Sequence, residues 1–78
     1  MNEQKLTFGE KAVGLTFNPS NDDAVANCKK EFAAVIDRMN DLRNSLECSP
    51  EVARMASIAI TEAQTAQMWA VKAITWKF

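Results

Sequence analysis

Histidine and tyrosine are absent from the chain, and cysteine, glycine and proline occur only twice each. Each scarcity removes a class of protein. Without histidine, a serine or cysteine nucleophile lacks its usual base, and Ser20, Ser45, Ser49 and Ser57 sit in no nucleophile elbow or Ser-x-x-Lys setting. Gly9 and Gly14 match neither GxxxxGKS/T nor GxGxxG, the loops that cradle phosphates. With no CxxC pair and no acidic cluster of calcium-loop spacing, no metal site is expected. The residues point away from an enzyme and from any cofactor.

Nine Lys and Arg against ten Asp and Glu give a net charge of -1, which lacks the basic excess of a protein that grips polymeric nucleic acid. A small local anion site remains compatible with that balance. No stretch approaches ~18 consecutive apolar residues, and the N-terminus lacks the pattern of a signal peptide, so the expectation is a soluble intracellular protein with no membrane segment. A helix from Cys28 to Leu46 would hold Cys28 and Cys48 roughly 27 Å apart, so they read as reduced thiols, Cys28 in the core and Cys48 in a loop.

What the chain does have is apolar residues at helical spacing. A length of 78 residues with 47% hydrophobic content can build one domain with a thin core, and a domain this small usually needs a disulfide, a metal or further copies of itself. Only self-association is left. Val25, Cys28, Phe32, Val35, Met39, Leu42 and Leu46 follow one another at alternating spacings of three and four, a heptad stripe that predicts a long helix over residues 21–47 capped by Asn21 or Asp22. Ser49 at N-cap, Pro50 at N1 and Glu51 restart a helix over residues 50–77, and the short connection folds the two into an antiparallel hairpin. On the second helix Val52, Met55 or Ala56, Ala59, Ala63, Ala66, Ala70 and Ala73 form a small-residue stripe expected to face the first. Ile58, Ile60, Met68, Trp69, Val71, Ile74 and Trp76 then need a second partner, supplied by other copies. Met68 and Trp69 are assigned to assembly.

Residues 1–20 hold Thr7-Phe8-Gly9-Glu10, a capping box for a short helix that Gly14 closes in the left-handed conformation. Leu15-Thr16-Phe17 reads as extended, and Asn18-Pro19-Ser20-Asn21 as a turn. The whole is one all-α domain: a short N-terminal helix and loop, then a long hairpin, assembled as a homo-oligomer.

The turn places Phe17 beside the N-terminus of the long helix, whose free N–H groups favour anions, with Lys29 and Lys30 two to three turns on. A ring to stack on a base and a cation to meet a phosphate are the minimum for a nucleotide. A Phe before a turn is more often a core anchor, however, and a pair such as Lys29 and Lys30 on a heptad helix is usually a solvated face.

The segments Leu6-Thr7-Phe8-Gly9-Glu10-Lys11, Leu15-Thr16-Phe17-Asn18-Pro19-Ser20, Val35-Ile36-Asp37, Ala59-Ile60-Thr61-Glu62-Ala63 and Met68-Trp69-Ala70-Val71-Lys72-Ala73 resemble, in order, a family of small phage proteins. These are the anti-CBASS sponges for cyclic oligonucleotides. The FNPS and MWAVKA segments carry most of the likeness. The resemblance implies a hexamer of helical hairpins in the cytoplasm of an infected bacterium. Pockets shared between protomers would take cyclic dinucleotides such as 3′,3′-cyclic GMP-AMP, and separate pockets cyclic trinucleotides. Nothing is cleaved: the free messenger falls, and the CBASS effector stays off. By position, Phe17 matches an aromatic that stacks on a base, tyrosine in some members, and Lys29 an early-helix lysine that meets the ligand. Lys30 lies about 100° round the helix from Lys29, and Asn18 and Thr16 are candidate polar contacts. For a trinucleotide, Arg54 and Lys72 are candidates by charge alone.

Two other readings stand beside this one. A hairpin dimer binding structured RNA or another protein's helix would want a basic stripe. A structural or helix-mediated interaction subunit of a phage would bind no small molecule.

Overall fold

The computed structural model describes residues 5–19 and 21–77. Among these the chain forms three helices and no strand: α1 (Phe8–Ala12), α2 (Asp23–Arg43) and α3 (Pro50–Thr75). None is long and apolar enough to cross a membrane.

Local chemistry sets the boundaries. Glu10 N donates to Thr7 Oγ1 at 3.0 Å and Thr7 N to Glu10 Oε1 at 2.9 Å, closing the capping box of α1 in both directions. At its other end Gly14 N donates to Lys11 O and Leu15 N to Glu10 O, the paired bonds of a Schellman motif. That motif needs a left-handed residue at Gly14, whose φ is 63°. Asp22, not Asn21, caps α2 through its Oδ1, which accepts from Ala24 N at 2.8 Å; Asn21 is left-handed, at φ 54°. Ser49 caps α3 with Pro50 at its first position, as the sequence predicts.

The first long helix ends at Arg43, short of the expected 47, with Asn44 as C-cap. Arg43 Nε and Asn44 Nδ2 both donate to Asn40 Oδ1, and Arg43 Nη1 reaches across to Ser57 Oγ at 3.0 Å. These side chains turn the end of α2 onto the start of α3, so residues 44–49 form the connection. Val25 and Lys29 of α2 meet Val71 and Thr75 of α3 around one cavity at the opposite end, which makes the pair antiparallel.

The core is Val13, Ala33, Ile36 and Ile60, with Ala12, Leu15, Phe32, Met39 and Ala63 packed against it. On α2 the buried positions are Val25, Lys29, Ala33 and Ile36, about one position round from the heptad stripe. Val35, Leu42 and Leu46 of that stripe are exposed. Two contacts turn the helix this way. Gly9 of α1 lies against the α2 backbone, where a Cβ at Gly9 would stand 2.2 Å from Ala33 O, and Gly9 N donates to Asp37 Oδ1 at 2.7 Å. Lys29 is drawn inward by carbonyl groups described below. On α3 the buried residues are Ala56, Ile60 and Gln67, while Ala66 and Ala73 of the small-residue stripe are exposed. Ile60 is therefore core, whereas Ile58, Met68, Trp69, Ile74 and Trp76 face outward. Among the described residues no further element packs over them.

Candidate functional site

The site is built where α1 ends, where α2 begins and where α3 finishes. Phe17 N donates to Gly14 O at 2.9 Å, so residues 14–17 make a tight turn in place of the extended segment expected for Leu15-Thr16-Phe17. The side chain of Lys29 closes it: Nζ donates to Gly14 O at 2.9 Å and also to Phe17 O. This tertiary contact overrides the local preference for extension. Asn21 N then donates to Asn18 O at 3.0 Å, the bond of the turn expected at 18–21; Ser20 lies outside the described residues. Asn18 Nδ2 donates to Asp22 O at 3.1 Å, tying this second turn to the first residues of α2.

Between the two turns and the end of α3 lies a cavity of about 260 Å³, lined by Phe17, Asn18, Pro19, Lys29, Val71 and Thr75 together with Val25 at its base. A second cavity of about 470 Å³ adjoins it, sharing Phe17, Lys29 and Val71 and reaching Gln67 and Met68. Phe17 is 71% exposed, and its ring centre stands 5.6 Å from Lys29 Nζ. The ring is therefore no core anchor; it is an aromatic face held out beside a cation.

Lys29 is only 5% exposed. Burying an ammonium is costly unless it is paired, and among the described residues the one ion pair is Arg54 with Glu51, far along α3. Carbonyl dipoles alone meet the charge of Lys29. Each charge-assisted bond contributes about 1.5–3 kcal/mol, enough to hold the side chain in place, yet among the described residues no carboxylate pairs with it. The walls around it are mostly apolar.

The other candidates fall differently. Thr16 and Lys30 are exposed and line neither cavity, and Asn18 lines the smaller one while its amide shapes the turn. The N-terminus of α2, expected to attract anions, is occupied: the Asp22 carboxylate takes Ala24 N, and Asp23 adds a second negative charge in the first turn. The cation at the wall of the cavity is Lys29 instead. Arg54 pairs with Glu51 at 2.5 Å, and its hydrogen bond holds the Glu51 carboxyl below its ordinary value. Lys72 lies 5.1 Å from the Trp69 ring and 5.7 Å from that of Trp76, on the outer side of α3.

Val71, Thr75 and Gln67 were not singled out from the sequence as site residues. The signal for the first two was there: Val71 and Thr75 stand one turn apart near the end of α3, and an antiparallel hairpin puts that end beside the start of α2. Cys28 is half-buried, and burial, then the nearby Glu31 carboxylate, push its thiol above its ordinary value, away from a reactive thiolate.

A hairpin one helix deep, carrying an aromatic ring and an enclosed lysine over apolar walls, defines a small helical binding protein. The family described as Acb2/Tad1, hairpin domain, matches residues 10–75, most of the chain. The chain belongs to that family, the anti-CBASS sponges that sequester cyclic oligonucleotides. The likeness drawn from the FNPS and MWAVKA segments thus holds. No curated protein and no solved structure matches it.

Proposed function

We propose that the two adjoining cavities take a cyclic dinucleotide such as 3′,3′-cyclic GMP-AMP, with one base on the Phe17 ring and a phosphate at Lys29. The ligand is held without being cleaved, so that sequestration alone blocks CBASS immunity in the cytoplasm of a phage-infected bacterium. The observation that carries this reading is Lys29: an ammonium 5% exposed, with no carboxylate beside it among the described residues, at the wall of a cavity next to an exposed ring. A phosphate supplies the missing negative charge, and a base covers the ring.

A cavity of about 260 Å³ falls below the roughly 300–1,000 Å³ of a site that encloses a whole ligand. That smaller cavity alone suits one nucleotide; the adjoining cavity of about 470 Å³ takes the rest, and a second copy closes over both. The exposed Ile58, Met68, Trp69, Ile74 and Trp76 support assembly, for which the family suggests a hexamer. Cyclic trinucleotides go to separate pockets.

Titration calorimetry with a panel of cyclic di- and trinucleotides, followed by recovery of the ligand after heat denaturation, tests the proposal. Tight binding with intact ligand recovered supports a sponge. Absence of binding throughout the panel overturns it and leaves a structural subunit, the reading that the exposed apolar residues would then favour.

A further inference from the structure

Gln67 is the other polar side chain enclosed at this site. It is 6% exposed and lines the larger cavity with Phe17, Lys29 and Met68. Among the described residues no hydrogen bond reaches its amide. Among the described residues no fully buried polar side-chain atom lacks a partner, so the Gln67 amide remains open to solvent, in a residue that lines the cavity. Gln64, one turn earlier, shows the contrast: its Nε2 donates to Ala12 O and helps tie α3 to the end of α1. A carboxamide in a residue only 6% exposed keeps just a narrow opening to water, so its donors and acceptor are available to a ligand that enters there.

We infer that Gln67 sets base specificity, reading the N6–N7 edge of an adenine that lies against Phe17. The inference rests on the nucleotide reading above and adds to it a choice of base. An amide offers one acceptor beside one donor. Adenine presents a matching pair on that edge, with N6–H donating to Oε1 and N7 accepting from Nε2–H. Guanine presents two acceptors there, O6 and N7, which suit a cation and leave Oε1 facing a lone pair. Gln67 and Met68 sit on a helix, not a loop, so the amide has a fixed position from which to discriminate.

The test compares 3′,3′-cyclic di-AMP, its 7-deaza-adenine analogue and 3′,3′-cyclic di-GMP by titration calorimetry, on the wild-type oligomer and on Gln67→Met, which keeps the length and removes the polar atoms. The wild type should bind cyclic di-AMP roughly 5- to 150-fold more tightly than the 7-deaza analogue, the range of one good base contact. Gln67→Met should lose a similar factor for cyclic di-AMP and no longer distinguish the analogue. Equal affinity of the wild type for both adenine ligands overturns the inference, as does an equal loss for all three ligands in the variant, which would make Gln67 a packing residue. Wild-type binding of cyclic di-GMP but not cyclic di-AMP also overturns it while leaving the sponge reading intact. Failure of the wild type to bind any of the three removes both. Should Gln67→Met not fold, the wild-type comparison of adenine with 7-deaza-adenine decides alone.

Discussion

The ammonium of Lys29 donates to the backbone carbonyl of Phe17 and stands 5.6 Å from the centre of that residue's ring. One side chain thus fixes the turn that presents the aromatic and also supplies the positive charge beside it.

Replacing Lys29 should therefore act twice. Lys29→Met removes two charge-assisted bonds and leaves the Phe17 carbonyl without its donor but also relieves the cost of burying an ammonium, for a net loss of about 1–3 kcal/mol in urea denaturation. Cyclic dinucleotide binding should fall with it. Lys30→Met, one position on and exposed, should change stability by no more than ~0.5 kcal/mol and leave binding unaltered. A Lys29→Met protein of wild-type stability would show that the carbonyl clamp contributes nothing.

Phe17→Ala should separate ligand from fold in the other direction. The ring is 71% exposed, so its removal should leave melting temperature and oligomer size near wild type while weakening cyclic dinucleotide binding by about 1–3 kcal/mol. Loss of the oligomer on gel filtration would instead make Phe17 an interface residue.

Gly9→Ala should be the most damaging small change in the chain. The added methyl would stand 2.2 Å from the Ala33 carbonyl oxygen, a backbone atom that cannot step aside, so α1 must lift from α2 and lose the Gly9 N to Asp37 bond. A destabilisation of about 2 kcal/mol or more is expected. Because α1 leads directly into the 14–17 turn, binding should weaken too, although Gly9 lines neither cavity.

Trp69→Ala should leave the protomer helical by circular dichroism while shrinking the assembly in light scattering, since the ring is 66% exposed and lies on the outer side of α3 with Lys72 5.1 Å away. An oligomer of unchanged size would remove Trp69 from the interface.

Cys28 gives a pH-dependent prediction. Burial and Glu31 raise its pKa in the fold, so less thiolate is present at pH 8 in the folded protein than in the unfolded one. The stability linked to the neutral thiol is complete below the unfolded pKa and is lost as pH rises through the folded one. Alkylation by iodoacetamide, followed peptide by peptide in a mass spectrometer, should be slower at Cys28 in native protein than in urea. Equal rates would place the thiol in open solvent.

Much of the architecture is legible in the sequence because short-range chemistry dictates it. Thr7 with Glu10, Gly14, and Ser49 with Pro50 each mark a boundary through bonds made within a few residues, and those boundaries appear where expected. What periodicity does not supply is helix rotation. The stripe through Val35, Leu42 and Leu46 is as regular as a core face, yet the core follows Lys29, Ala33 and Ile36, because α1 needs a small residue beneath Gly9 and the turn needs a cation. A lysine counts as surface in any hydropathy pattern, so its inward path is not visible there. Gln67 escapes notice for the same reason: its seclusion comes from residues distant in the chain.

Lysine ordinarily reaches a ligand after giving up roughly 2 kcal/mol of rotamer freedom. Here folding has already withdrawn that freedom, since the 14–17 turn grips the ammonium before any ligand arrives. The pair forms a gauge of set span: ring centre and charge stand 5.6 Å apart in the empty protein, so a ligand of the proposed kind would have to fit its base and its phosphate to a fixed interval.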